Sequence, residues 1–203
     1  MLGVLTRGLI YLLAAIFLGE MILWELALVK DQDVFTEYGY VQLAQSCFLL
    51  ASTTLLFLHA YRAERYRQLS VCMALFFLGL LIRENDQPLE LFLPHGAWKY
   101  IIVIPAIVLV FYFWKNRKHV GRQLANYSHT MSFGILLSGF VALTFSRLFG
   151  RKLFWQQLVG ENFFRTAKNT AEESVEVLAL GLILIAVVEF VLMGYPTVTR
   201  NKD

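Results

Sequence analysis

Between Arg7 and Lys30 stand 22 residues interrupted only by Glu20 and Glu25, and apolar runs of comparable length recur along the chain. At about 1.5 Å of rise per residue, such a run as a helix matches a hydrocarbon core ~30 Å thick. The chain has 203 residues, 58% of them hydrophobic and 16% charged. An ordinary soluble domain carries about a quarter charged residues and could not bury this much apolar surface. The pattern therefore predicts an all-α polytopic membrane helical bundle, with 1–203 forming a single integral-membrane domain. No segment is long enough for a separate soluble domain.

About six transmembrane helices are expected, with five spans and an inverted tail as the competing topology. The first covers about 6–29, and it has no convincing small-residue cleavage site that would make it a signal peptide. After an acidic connector with Asp31, Asp33 and Glu37, the second covers about 38–59. The third, 68–82, has only 15 residues between Arg67 and Arg83, so the flanking arginines must snorkel or the bilayer must thin. Pro88, Pro94 and His95-Gly96 break the chain before the fourth, 100–114, which Trp98 and Trp114 bracket as interfacial anchors. The basic connector Lys115 to Arg122 follows. The fifth, 130–146, offers Gly134, Ser138 and Gly139 for close packing. The sixth runs from the Glu172 cluster to about 194. The stretch 147–168 holds five basic residues among aromatics, the composition of an amphipathic helix lying in the headgroup layer.

Lys and Arg crowd the connectors after the second and fourth spans (Arg62, Arg65, Arg67; Lys115, Arg117, Lys118, Arg122). By the positive-inside tendency both termini face the cytoplasm, and a bacterial inner membrane is the expected location. The net charge of +3 is topology information, not a nucleic-acid footprint. Cys47 and Cys72 lie inside apolar runs and read as small buried hydrophobes, not as a disulfide framework.

With this topology the polar groups gather on the extracytoplasmic side. Glu172 and Glu176 are four apart and Glu173 and Glu176 three apart, so a helix places all three on one side. Glu25, Arg83, Glu84 and Asp86 belong to the same side of the membrane, and Glu20 sits about 7 Å deeper than Glu25. The candidate polar pocket is thus Glu20, Glu25, Arg83, Glu84, Asp86, Glu172, Glu173 and Glu176. Carboxylates at a lipid-length helix are costly to desolvate unless they have cations, water or a metal as partners.

Two chemistries satisfy such a cluster. Glu84, Asp86, His95, Glu173 and Glu176 could supply oxygen and nitrogen ligands to Zn, Mn or Fe, and a metal-bound water would make a membrane hydrolase acting on a lipid substrate. No HExxH or EF-hand spacing supports this. The plainer alternative is an ion-pair network in which Arg83 answers Glu173 or Glu176 while Lys99 and Lys168 answer the other acids. Two further readings are a small proton or cation transporter or channel subunit using Glu20, and a non-catalytic subunit held by other membrane subunits. His59 and His129 sit at span ends; a pair facing each other across spans could bind haem, but each span has at most one and their peripheral depth disfavours it.

Overall fold

In the computed structural model, residues 2–28, 39–159 and 165–194 are described, and they contain helices but no strand. The acidic connector with Asp31, Asp33 and Glu37 lies outside them. The helices are α1 (Leu2–Leu28), α2 (Tyr40–Arg62), α3 (Arg67–Glu84), α4 (Asp86–Glu90), α5 (Trp98–Tyr127), α6 (Met131–Phe149), α7 (Lys152–Val159) and α8 (Arg165–Gly194).

Among the described residues, five helices are long and apolar enough to cross a membrane, namely α1, α2, α5, α6 and α8. Their apolar side chains point outward in a way that water would penalise. Phe17, Ile104, Ile107, Val110, Phe111 and Val141 are all more than half exposed, the arrangement of a surface solvated by lipid. The third expected span, α3, is a helix of 18 residues with Arg67 at its start and Arg83 and Glu84 at its end.

One connector turns out to be helix. The basic stretch Lys115 to Arg122 continues α5 without a break, for 30 residues in all. Lys, Arg, Gln, Leu and Ala are strong helix formers, and Gly121 alone does not stop them. Pro105 also lies inside α5, near its start, where it is buried.

By packing, the chain divides into two compact units, Met1–Phe48 with Ile135–Ile185, and Leu49–Gly134 with Ala186–Asp203. The boundaries fall within α2, α6 and α8. In the first unit, Leu18, Val41 and Val177 form a buried cluster joined by Met21, Ile22, Ala44 and Phe48. Here α6 approaches α8 so closely that a Cβ on Gly139 would stand 2.7 Å from Ile183 Cγ1 and 3.1 Å from the Ala179 carbonyl oxygen. Of the expected small packing positions on α6, Gly139 is used this way, whereas a Cβ on Gly134 would meet nothing within 4 Å.

In the second unit, α3 and α5 run antiparallel along one another. Gly79 faces Ile102, and at the other end the Gln123 amide accepts the Leu69 N–H at 2.8 Å and donates to Gln68 at 2.7 Å. The residues α3 buries are Leu69, Ser70, Cys72, Ala74, Leu75 and Phe77. Phe190 fills the centre of this unit, with the rings of Tyr127, His59 and Tyr66 at 4.8, 5.1 and 5.3 Å.

Candidate functional site

The eight residues expected in one polar pocket belong to both units. Glu20, Glu25, Glu172, Glu173 and Glu176 are in the first, and Arg83, Glu84 and Asp86 in the second. Within the first unit the glutamates of α8 have specific partners, and each partner follows from the local helix.

Glu176 is 5% exposed, one helical turn beyond Glu172. A carboxylate so placed needs a cation, and Arg147 supplies it from the C-terminal turn of α6. Arg147 Nη2 stands 2.6 Å from Glu176 Oε1, while Nη1 donates to Glu172 Oε1 at 3.3 Å. The preceding residue, Ser146, is buried and has its Oγ 3.2 Å from the same Glu176 oxygen. Glu172 takes a second cation from its own helix, Lys168 Nζ at 3.1 Å, four residues earlier. Its carboxylate occupies the place where a side chain on Gly150 would begin, so a larger residue there would displace the Glu172 carboxylate. One guanidinium therefore serves two carboxylates, and one carboxylate serves two cations.

Glu173 points elsewhere. Its Oε2 accepts the Gln45 amide Nε2–H at 2.8 Å, from α2. Gln45 is fully buried, and its Oε1 has no hydrogen-bond partner among the described residues. Buried side-chain acceptors are nearly always satisfied, so this one marks a place where a proton donor or a cation would be welcome. Glu25, 3% exposed, caps α2 from α1, since its Oε2 accepts the Val41 N–H at 2.7 Å. That N–H is one of the donors a helix start leaves open, and a carboxylate there also meets the positive end of the helix dipole.

The remaining expected residues do other things. Glu20 is exposed and lines an apolar cleft of about 800 Å³ between α1, α2 and α8. Cys47 lines the same cleft and is exposed, unlike the buried thiol expected, because its position on α2 opens onto the cleft. Arg83 is exposed at the end of α3, and Asp86 Oδ1 accepts the N–H of Gln87 at 2.8 Å at the start of α4. Lys99 lies over the Trp98 ring. His95 Nδ1 pairs with Glu90 at 2.6 Å, not with a metal-ligand set. Among the described residues, no group of three or more His, Cys, Asp and Glu side chains is arranged to hold a metal ion.

Two participants escaped the sequence reading. Arg147 stood in a stretch read as headgroup-facing, and only the two spans' close contact at Gly139 aims it at α8. Ser146-Arg147 at the end of a span, opposite an acidic helix start, is the signal that would have found it. His59, expected at a peripheral span end, is fully buried. Ser70 Oγ donates to the Tyr66 carbonyl, so the 2.8 Å contact with His59 Nδ1 makes that nitrogen the donor. Tyr127 hydroxyl, Ser132 hydroxyl and the Ala186 carbonyl continue the polar thread in this unit at 2.9 and 2.8 Å.

No family model matches this chain, and neither does any curated protein or solved structure.

Proposed function

We propose that the protein is an integral membrane protein that binds and passes protons or small cations at the α8 glutamates, with Glu176 and Arg147 as the exchanging pair. The observation that carries this reading is the sharing of Arg147 between a buried carboxylate, Glu176, and a second carboxylate, Glu172. Ionisable groups held inside a span are expensive and are kept chiefly where charge moves. A proton taken up by Glu176 removes its claim on the guanidinium, which Glu172 can then hold alone, and loss of that proton restores the first arrangement. Gln45 Oε1, an acceptor beside Glu173 with no donor among the described residues, adds a place for a cation or a proton donor.

The metal-dependent hydrolase fits these contacts less well. Glu173 and Glu176 would have to give up Gln45 and Arg147 before either could ligate a metal. A purely structural network would leave transport untouched, and this separates it from the proposal.

The test is proton flux in liposomes containing the purified protein and a trapped pH indicator, driven by a potassium diffusion potential. Wild-type protein should acidify or alkalinise the lumen well above protein-free vesicles, and Glu176→Gln should reduce the rate by about tenfold or more. Arg147→Lys, which keeps the charge and loses the fork, should retain part of it. Equal rates in wild type and Glu176→Gln, both folded, would overturn the reading. Stoichiometric Zn, Mn or Fe in the purified protein, lost in Glu173→Ala, would return the hydrolase to first place. The bilayer location, the cytoplasmic termini and the extracytoplasmic face of the network belong to the same proposal.

A further inference from the structure

We propose that the cleft between α1, α2 and α8 is a binding site for a hydrophobic organic cation, with Glu20 as its counter-charge. The cleft encloses about 800 Å³, within the range of sites that hold small molecules. Every other residue of its lining is uncharged and most are apolar, so Glu20 is the one formal charge it presents. It lies eight residues, about 12 Å of helix, inside the Leu28 end of a helix apolar enough to cross the membrane. Glu20 is exposed there, and among the described residues it has no hydrogen bond or ion pair.

The contrast with Glu25 is what makes Glu20 informative. Glu25, one and a half turns further along α1, is buried and occupied by the Val41 N–H. Glu20 has kept its carboxylate without any such return from the fold. A carboxylate in an apolar surface is costly unless something positive reaches it. A lipid chain or another apolar helix would fill the volume but leave that charge unanswered. An anion would be repelled.

The rest of the lining suits a cation that is itself greasy. Trp24 and Tyr40 stand at the cleft with ring centroids 5.2 Å apart and planes tilted by 37°, and both are more than half exposed. Aromatic faces beside a carboxylate are the surroundings that quaternary ammonium and phosphonium groups favour. Small residues leave the room: Ala14, Ala15 and Ala44 line the walls, and a Cβ on Gly181 would already stand 3.0 Å from Leu18 Cδ1. The site uses none of the α8 glutamates and stands independently of the proposed proton pathway.

The experiment uses the full chain in nanodiscs of zwitterionic phosphatidylcholine with labelled tetraphenylphosphonium as the probe. Saturable, stoichiometric binding is expected, weakened about tenfold or more by Glu20→Gln and abolished by Ala15→Trp, which fills the cleft. Trp24→Leu removes an aromatic face without adding bulk and should weaken binding several-fold, so the test remains decisive if Ala15→Trp does not fold. All variants should keep the wild-type melting midpoint, and Glu20→Gln should leave any Glu176-dependent flux unchanged. Uptake equal to that of empty nanodiscs, or binding identical in Glu20→Gln, would overturn the proposal. So would stable dimers that bind no probe, since a second copy would then occupy the cleft.

Discussion

Arg147 is the hinge of the charge network in the first unit, because two carboxylates, Glu172 and Glu176, depend on its position and Lys168 reaches only the first of them. A second ionisable residue can be argued as closely, outside the spans. Glu90 closes the loop after α4, accepting the Gly96 N–H at 2.9 Å and pairing with His95 at 2.6 Å. Gly96 has φ of 80°, a left-handed conformation that glycine adopts without steric cost. The Gly96 amide first, and His95 second, hold the Glu90 carboxyl below its ordinary value of 4.5. Because the folded value lies below the unfolded one, the folded state binds fewer protons, and the contribution is complete above about 4.5. It is lost as pH falls through the depressed folded value. Hydrogen exchange at Gly96, corrected for its intrinsic rate, should therefore show protection that disappears on acidification. Glu90→Gln should show reduced protection already at neutral pH; protection that ignores both changes would refute the argument. Neither this pairing nor Arg147's follows from spacing alone, although Ser146-Arg147 at a span end opposite an acidic helix start points toward the second. The i, i+3 and i, i+4 spacing of Glu172, Glu173 and Glu176 and the Lys168–Glu172 pair follow from one helix's own geometry. Which residue of another helix answers a carboxylate depends on a packing contact that spacing does not encode.

At the scale of the helices, hydropathy was the readable signal and helix ends were the unreadable one. The apolar runs announced α1, α2, α6 and the apolar part of α8, because a bilayer-length run without charge has few alternatives. The same reasoning stopped α5 at Trp114, where the chain turns basic. Leaving the hydrocarbon does not end a helix whose residues favour it and whose Gln123 finds partners on α3. What holds α6 against α8 is steric, at Gly139. Gly139→Ala places a methyl where Ile183 and the Ala179 carbonyl already stand, so the helices must separate or Ile183 must leave its rotamer. A loss of about 1–3 kcal/mol is expected, and Arg147 should move away from Glu176 with it. Gly134→Ala on the same helix adds its methyl to open space and should be tolerated. Unfolding of the two variants in the same detergent compares them directly, and equal midpoints would show that the approach at Gly139 carries no energy.

For the molecule as a whole, we propose six crossings, from the side on which each helix ends. Four residues separate the end of α2 at Arg62 from the start of α3 at Arg67, and three separate the end of α5 at Tyr127 from the start of α6 at Met131. The start of α3 is bonded to Gln123 near the end of α5. In the proposed topology the end of α2 and the end of α5 share one side of the membrane, the side of Arg62, Arg65, Arg67 and the basic turns of α5. If α5 crosses, it began on the other side, and the chain must have crossed once between Arg62 and Trp98. Only α3 is available to do so, at about 27 Å of helix for its 18 residues. Its terminal Arg67 and Arg83 are long enough to reach the interfaces from a helix slightly short for the bilayer. α3 is not among the five helices long and apolar enough to cross a membrane, so its crossing, inferred from its packing on α5, is part of the proposed topology. Six crossings, as proposed, would put the two ends of the chain on one side, and the positive-inside tendency would make that side cytoplasmic. Reporter tags at residue 1 and residue 203 should accordingly both be accessible from the cytoplasm, and a single cysteine placed in 91–97 should react with an impermeant reagent from outside. Tags on opposite sides would mean five crossings, with α3 lying against α5 in some other way than through the membrane.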